Sequence, residues 1–107
     1  MKELIIIYVT VSSREEAEKI AHELVESRYA ACANIVNGVT SVYTWKGKVC
    51  KDNELLMILK APADNFEKIR DRVHRLHSYE CPEIIAAAIT HCDPGYHEWV
   101  LESTDSP

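Results

Sequence analysis

The chain has 107 residues, 47% of them apolar and 27% charged, with a net charge of −5. That composition suits one globular domain spanning residues 1–107 and burying about 65% of its unfolded surface. It offers no clustered positive charge for a phosphate backbone, no run near the ~18 apolar residues of a membrane-spanning helix, and no small-residue cleavage site after the amino terminus. Nucleic-acid binding, a membrane span and secretion are therefore not expected, and the chain is assigned to the cytoplasm.

The first predicted element is the strand Leu4 to Val11, "LIIIYVTV", whose β-branched run without polar alternation reads as a central strand covered on both faces. Ser12 and Ser13, each followed three residues later by a glutamate (Glu15, Glu16), predict a helix start. Ala17, Ile20, Ala21, Leu24 and Val25 then give that helix an apolar stripe ending near Arg28. "YAACANIV" and "VTSVYTW" follow as one long strand interrupted at Asn37 and Gly38, where tolerance of positive φ predicts a bulge. Lys46, Gly47 and Lys48 form the turn into a returning strand over "NELLMILKA", making a long hairpin.

Pro62 ends that strand and Asp64 is the expected cap of a second helix, with Phe66, Ile69, Val73 and Leu76 on its apolar side and its close near His77. Pro82 is placed at the first position of a further strand, whose "EIIAAAIT" run reads as buried. "PGYHEWVLES" starts a terminal helix with Tyr96, Trp99 and Val100 on one side, and residues 103–107 are expected to fray. The order β-α-β-β-α-β plus a C-terminal helix is that of an α+β, ferredoxin-like split β-α-β sandwich. Two helices on one sheet face leave the other bare, and the hairpin has open edges, so a homo-oligomer is expected.

Several side-chain clusters invite chemical readings. Cys32, Cys50, Cys81 and Cys92 contain no Cys-x-x-Cys pair and are expected as reduced thiols, with Cys32 and Cys50 inside strands as core or interface residues. Cys81 follows a helix terminus, where the negative end of the dipole disfavours a thiolate, so a Cys81–His77 nucleophile is not favoured and the chain is read as non-enzymatic. His74 and His77, three residues apart, share a helix face and can place two imidazoles on one metal; solvated surface histidines are the alternative. His91, Cys92, Asp93 and His97 form a second candidate cluster suited to copper or zinc. Tyr43 and Trp45 share a strand face, as Glu54 and Met57 are read to do on the partner strand, so an aromatic surface beside a carboxylate is expected, as a cleft or as a subunit contact. Glu83, ahead of an apolar run, is read as a buried carboxylate needing Lys60 or an arginine as partner.

"LVESRYAACANI", "SVYTWKGKV", "ELLMILKA" and "LHSYECPEIIA", with Tyr96 and Trp99, together resemble the CutA divalent-cation tolerance proteins over nearly the whole chain. The resemblance implies a homotrimer whose hairpins pair across subunits. It also implies an inter-subunit ligand groove near Tyr43, Trp45, Glu54, Lys60, His77, Tyr79, Glu80 and Glu83. The family's usual "HPYE-PEI" has proline where this chain has Ser78, which leaves the loop less restrained. Relatives associated with copper carry a cysteine at the end of the first strand and paired histidines before the motif. Here Val9 and Leu76 stand at those places and His77 alone matches, leaving His74, Cys81 or the region from His91 to His97 to substitute. The implied function is a trimeric binding protein holding a divalent metal (copper or zinc) weakly, or a small ligand, with no tightly bound cofactor. The alternative is a small-metabolite sensor resembling the PII signalling trimers and acting through a protein partner.

Overall fold

A computed structural model of the chain describes residues 2–105. The elements in order are β1 (Leu4–Val11), α1 (Arg14–Glu26), β2 (Cys32–Trp45), β3 (Lys48–Pro62), a 3-10 turn (Ala63–Asn65), α2 (Phe66–Leu76), β4 (Ile84–Ile89) and α3 (Pro94–Glu102). The four strands form one antiparallel sheet in the order β2-β3-β1-β4, so the α+β split β-α-β arrangement expected from the pattern is present.

Strand alternation decides which face of the sheet each side chain joins. Ile5, Ile7, Val9 and Val11 of β1 and Met57, Leu59 and Ala61 of β3 pack under α1 and α2, against Ala17, Ile20, Leu24, Ile69 and Val73. Leu4, Ile6, Tyr8 and Thr10 point the other way. The Leu4 end of that second face is closed within the protomer by Val100 of α3 together with Ala31. The expectation that β1 is covered on both faces is thus corrected: Ile6 and Tyr8 are half-exposed. The β4 run is likewise not buried, since Ala86 to Ala88 are exposed and Ile85 is 55% exposed. It is an edge strand paired to β1 alone. Pro82 does not open it, because pairing with β1 ends at Val9 and Ile84 and leaves Pro82 and Glu83 in the preceding loop.

Local rules explain the ends of the elements. Ser13, rather than Ser12, caps α1, its hydroxyl accepting from Glu16 N at 3.2 Å. Asp64 does not cap α2; it pairs with Lys2 at 3.2 Å, and the helix is entered through the 3-10 turn. Asn65 at that junction is buried, and its Nδ2 donates to Tyr29 O at 3.0 Å and Asp105 O at 2.7 Å. The tail from 103 to 105 is therefore fastened rather than frayed: Thr104 is buried, Asp105 N donates to Arg28 O at 2.8 Å, and Arg28 Nε reaches the Asp105 carboxylate at 2.9 Å. The rest of the expected frayed segment, Ser106 and Pro107, lies outside the described residues.

The hairpin turns through two residues, Lys46 (φ 51°) and Gly47 (φ 79°), between the paired Trp45 and Lys48. Positive φ at both central positions is the type I′ geometry that matches strand twist. Further down, the register slips by one between Val36 (opposite Leu56) and Val39 (opposite Glu54), with Gly38 at φ 78°. The bulge flips the alternation along β2. Asn34 and Val36 face the second side in the inner half, whereas Val39, Ser41, Tyr43 and Trp45 do so in the outer half. The outer half of the hairpin projects past the four-stranded region, because β1 pairs with β3 only from Leu55 to Pro62.

Candidate functional site

The projecting hairpin, the end of β1 and the loop after α2 enclose a cavity of about 650 Å³. Thr10 comes from β1. The hairpin supplies Ser41, Val42, Tyr43, Trp45, Asp52 and Glu54, and the loop supplies Tyr79, Glu80, Cys81, Pro82 and Glu83. Asp52 and Glu54 share a face because they are two apart on β3, and the bulge in β2 turns Tyr43 and Trp45 toward them.

The loop is held by a chain of hydrogen bonds running from the core to the cavity. His77 ends α2, its backbone N–H donating to Val73 O at 2.8 Å. Its ring Nε2 lies 2.7 Å from Thr10 O, and its Nδ1 accepts from Tyr79 N at 3.1 Å. A carbonyl only accepts and an amide N–H only donates, so these partners fix a neutral ring protonated at Nε2. Glu16 Oε1 accepts from Ser78 N at 3.1 Å. The Tyr79 ring lies 4.6 Å from that of His77, and its hydroxyl donates to Glu54 Oε2 at 2.7 Å. Glu54 is only 7% exposed, so this donor is its compensation for lost water.

The field in the cavity is negative. Four carboxylates, Asp52, Glu54, Glu80 and Glu83, line it, and none of its lining side chains is Lys, Arg or His. Tyr43 donates to Asp52, and its phenol is pushed up to about 12, first by that hydrogen bond and then by burial and the Asp52 charge. The Tyr79 phenol is raised as well, by burial first, then by its bond to Glu54 and the charges of Glu54 and Asp52. Both phenols therefore stay neutral donors at physiological pH.

Of the residues expected in the groove, Tyr43, Trp45, Glu54, Tyr79, Glu80 and Glu83 line this cavity and two do not. Lys60 lies six residues from Glu54 along the same strand, about 20 Å away, and its Nζ bonds Asn34 Oδ1. His77 is buried behind the wall. Glu83 is exposed, not buried, because it precedes the strand. Met57 belongs to the opposite, helix-covered face. Asp52 went unnoticed in the sequence although its spacing from Glu54 carries the signal. The role of Glu16 beside His77 has no local signal, since 61 positions separate them.

The expected metal sets are not assembled within the protomer. Among the described residues no group of three or more His, Cys, Asp or Glu is placed to hold a metal ion. Both ring nitrogens of His77 are engaged, His74 is exposed on α2, and Cys81 is exposed in the loop. Val9, fully buried, and Leu76, half-buried in the core, offer no donor. In the other cluster, Asp93 caps α3 by accepting from Tyr96 N at 3.2 Å, His97 Nε2 meets Lys2 O at 2.8 Å, and His91 Nδ1 meets Thr90 Oγ1 at 3.0 Å. All four cysteines are free.

Residues 5–103 match the model of the CutA1 divalent ion tolerance protein family. The divalent-cation tolerance protein CutA of Thermus thermophilus is 46% identical over 92% of this chain and 96% of its own length. The solved Thermus structure superposes with a TM-score of 0.90, covering 98% of this chain and all of that one. The chloroplastic protein CutA of Arabidopsis thaliana is 44% identical over 94% of this chain, which spans 55% of the plant protein. A structure from Archaeoglobus fulgidus, described as a periplasmic divalent cation tolerance protein CutA, is 37% identical, with a TM-score of 0.92 over 95% of this chain and 99% of that one. With the matched span running from β1 through α3 and the same fold in each solved relative, this chain belongs to the CutA1 divalent ion tolerance protein family.

Proposed function

We propose that this protein is a homotrimeric, non-enzymatic binding protein of the divalent-cation tolerance type, taking a metal ion or small ligand in grooves between subunits. The observation that carries the reading is the projecting outer hairpin, which has exposed apolar side chains on both faces. Tyr43 and Trp45 are 40% and 41% exposed on the cavity side, Val42 beside them is 65% exposed, and Val49 is 78% exposed on the other face. Each such side chain contributes about 1.5–3 kcal/mol when fully buried, so copies of the chain have strong reason to close over it. The uncovered half of the sheet, with Ile85 and Val36, extends the same surface.

The cavity then lies at the seam between copies. Within one protomer its oxygens do not form a metal cage, so a divalent ion there takes donors from two subunits, with Asp52, Glu80, Glu83 and the Cys81 thiol on this side. The four free thiols favour a reducing compartment, the cytosol. The Archaeoglobus relative is described as periplasmic, and fractionation decides the point for this chain.

Light scattering on the reduced protein, paired with calorimetric titration of copper(II), zinc(II) and a panel of small metabolites, tests the reading. A trimer that binds one of these in the wild type and loses it in Glu80→Gln/Glu83→Gln supports it. A monomer, or a trimer with no heat from any of them, refutes it.

A further inference from the structure

The hydrogen bonds that hold the loop leave one buried acceptor without a donor. Glu16 Oε2 is buried with no hydrogen-bond partner among the described residues, and it sits 3.6 Å from His77 Nδ1. That nitrogen's lone pair is already occupied by the Tyr79 amide. Because Nε2–H faces the Thr10 carbonyl, a second proton on the ring has only Nδ1 to bind. Its arrival would set two donors, Nδ1–H and Tyr79 N–H, against each other and give Glu16 Oε2 the donor it lacks.

We propose that His77 and Glu16 form a proton-operated latch on the cavity wall. In the neutral state Nδ1 holds Tyr79 by its amide, and Tyr79 in turn holds Glu54 by its hydroxyl. In the protonated state the imidazolium turns its Nδ1–H to Glu16, the Tyr79 amide is released, and the segment from Tyr79 to Glu83 separates from its buried anchor. Ser78 permits this movement, because at that position it lacks the ring that fixes a proline's φ.

The groups around the ring are few. β1 presents the Thr10 carbonyl, α1 presents Glu16, and the loop presents the neutral phenol of Tyr79. Glu54 of β3 reaches the Tyr79 hydroxyl, and His74 and Arg75 in the last turn of α2 are exposed. Among the described residues Glu16 is thus the one carboxylate within ion-pair distance of His77. The His77 side chain is fully shielded from water and that of Glu16 is 14% exposed, so their pairing is weakly screened.

The latch rests on the groove reading for its purpose, but its test needs no ligand. In the intact protein labelled with 15N-histidine and 15N backbone, the His77 ring nitrogens and the Tyr79 amide are followed by NMR from pH 8 to pH 5. We expect an Nε2–H tautomer at pH 8, then a one-proton step in which Nδ1 gains its hydrogen and the Tyr79 amide shifts with the same midpoint. Glu16→Gln keeps an oxygen for Ser78 N–H but loses the charge, and it should lower that midpoint measurably. A ring that stays neutral to the point of acid unfolding overturns the latch, as does a Tyr79 amide that ignores His77 or an unchanged midpoint in Glu16→Gln. Should that variant fail to fold, the wild-type titration alone decides. A negative result with ligand heat still measurable refutes the latch only; a positive result with no ligand refutes the groove reading only.

Discussion

Removing the Tyr79 hydroxyl is the sharpest test of how the cavity wall is held. The Tyr79 Oη–Glu54 Oε2 bond is 2.7 Å long, and the carboxylate it serves is 7% exposed. Hydrogen bonds to charged groups contribute about 1.5–3 kcal/mol, and little is to be discounted for solvent screening at that burial. Tyr79→Phe removes the donor while keeping the ring that rests on His77, so the loss is the hydrogen bond and the desolvation of Glu54 left behind. A cost of about 2 kcal/mol corresponds to a fall in melting midpoint on the order of 10 °C for a domain of this size. In a Glu54→Gln background the acceptor is neutral and the same hydroxyl is worth about 0.5–1.5 kcal/mol, so a double-mutant cycle should show coupling of about 1 kcal/mol. Thermal unfolding followed by circular dichroism provides the four midpoints. Equal losses in the two backgrounds, or a Tyr79→Phe midpoint matching the wild type, would refute the argument that Glu54 depends on this donor.

Alkaline pH should strain the same wall. Unfolded tyrosine ionises near 10, and the folded phenols of Tyr43 and Tyr79 are raised, so their stabilisation is intact below about pH 10 and is lost as pH rises through the folded values, about 12 for Tyr43 and higher for Tyr79. A tyrosinate absorbance titration checks this, with Tyr43→Phe expected to delete an ionisation step near pH 12. Ser13→Ala should cost about 0.5–2 kcal/mol in denaturant unfolding by leaving the Glu16 amide uncapped. Leu59→Ala, at a fully buried position between sheet and helices, should cost about 2–5 kcal/mol, whereas Val49→Ala on the exposed hairpin should scarcely move an isolated protomer and should weaken the proposed trimer.

The strands and helices were largely legible because each obeys a local period. The apolar stripe of α1, the bulge at Asn37 and Gly38, where Gly38 takes the positive φ, and the turn at Lys46 and Gly47 depend on near neighbours alone. Burial was less legible where it depends on what lies across the sheet: the β4 run looks like a core strand by composition but is an edge with open faces in the protomer. The site divides the same way. Tyr43, Trp45 and Glu54 followed from strand alternation, whereas Lys60 shares that alternation and still lies a strand's half-length away. The use of His77 was hidden entirely, because a sequence displays an imidazole as a ligand and cannot show that a β1 carbonyl and a loop amide have already claimed both nitrogens.

The slip in pairing between Val36 and Val39 means that the chemistry of the cavity is set by a count of residues as much as by their identity. Shortening the segment at positions 37–38 by one would rotate the whole outer arm through half a turn, bringing Val42 and Thr44 inward and sending both aromatic rings to the opposite side. A chain altered at no lining position would then lose both aromatic rings from the cavity while keeping the carboxylates of β3 and the loop. In this fold, length variation at a single distant point therefore alters the cavity wall more than substitution of any one residue that lines it.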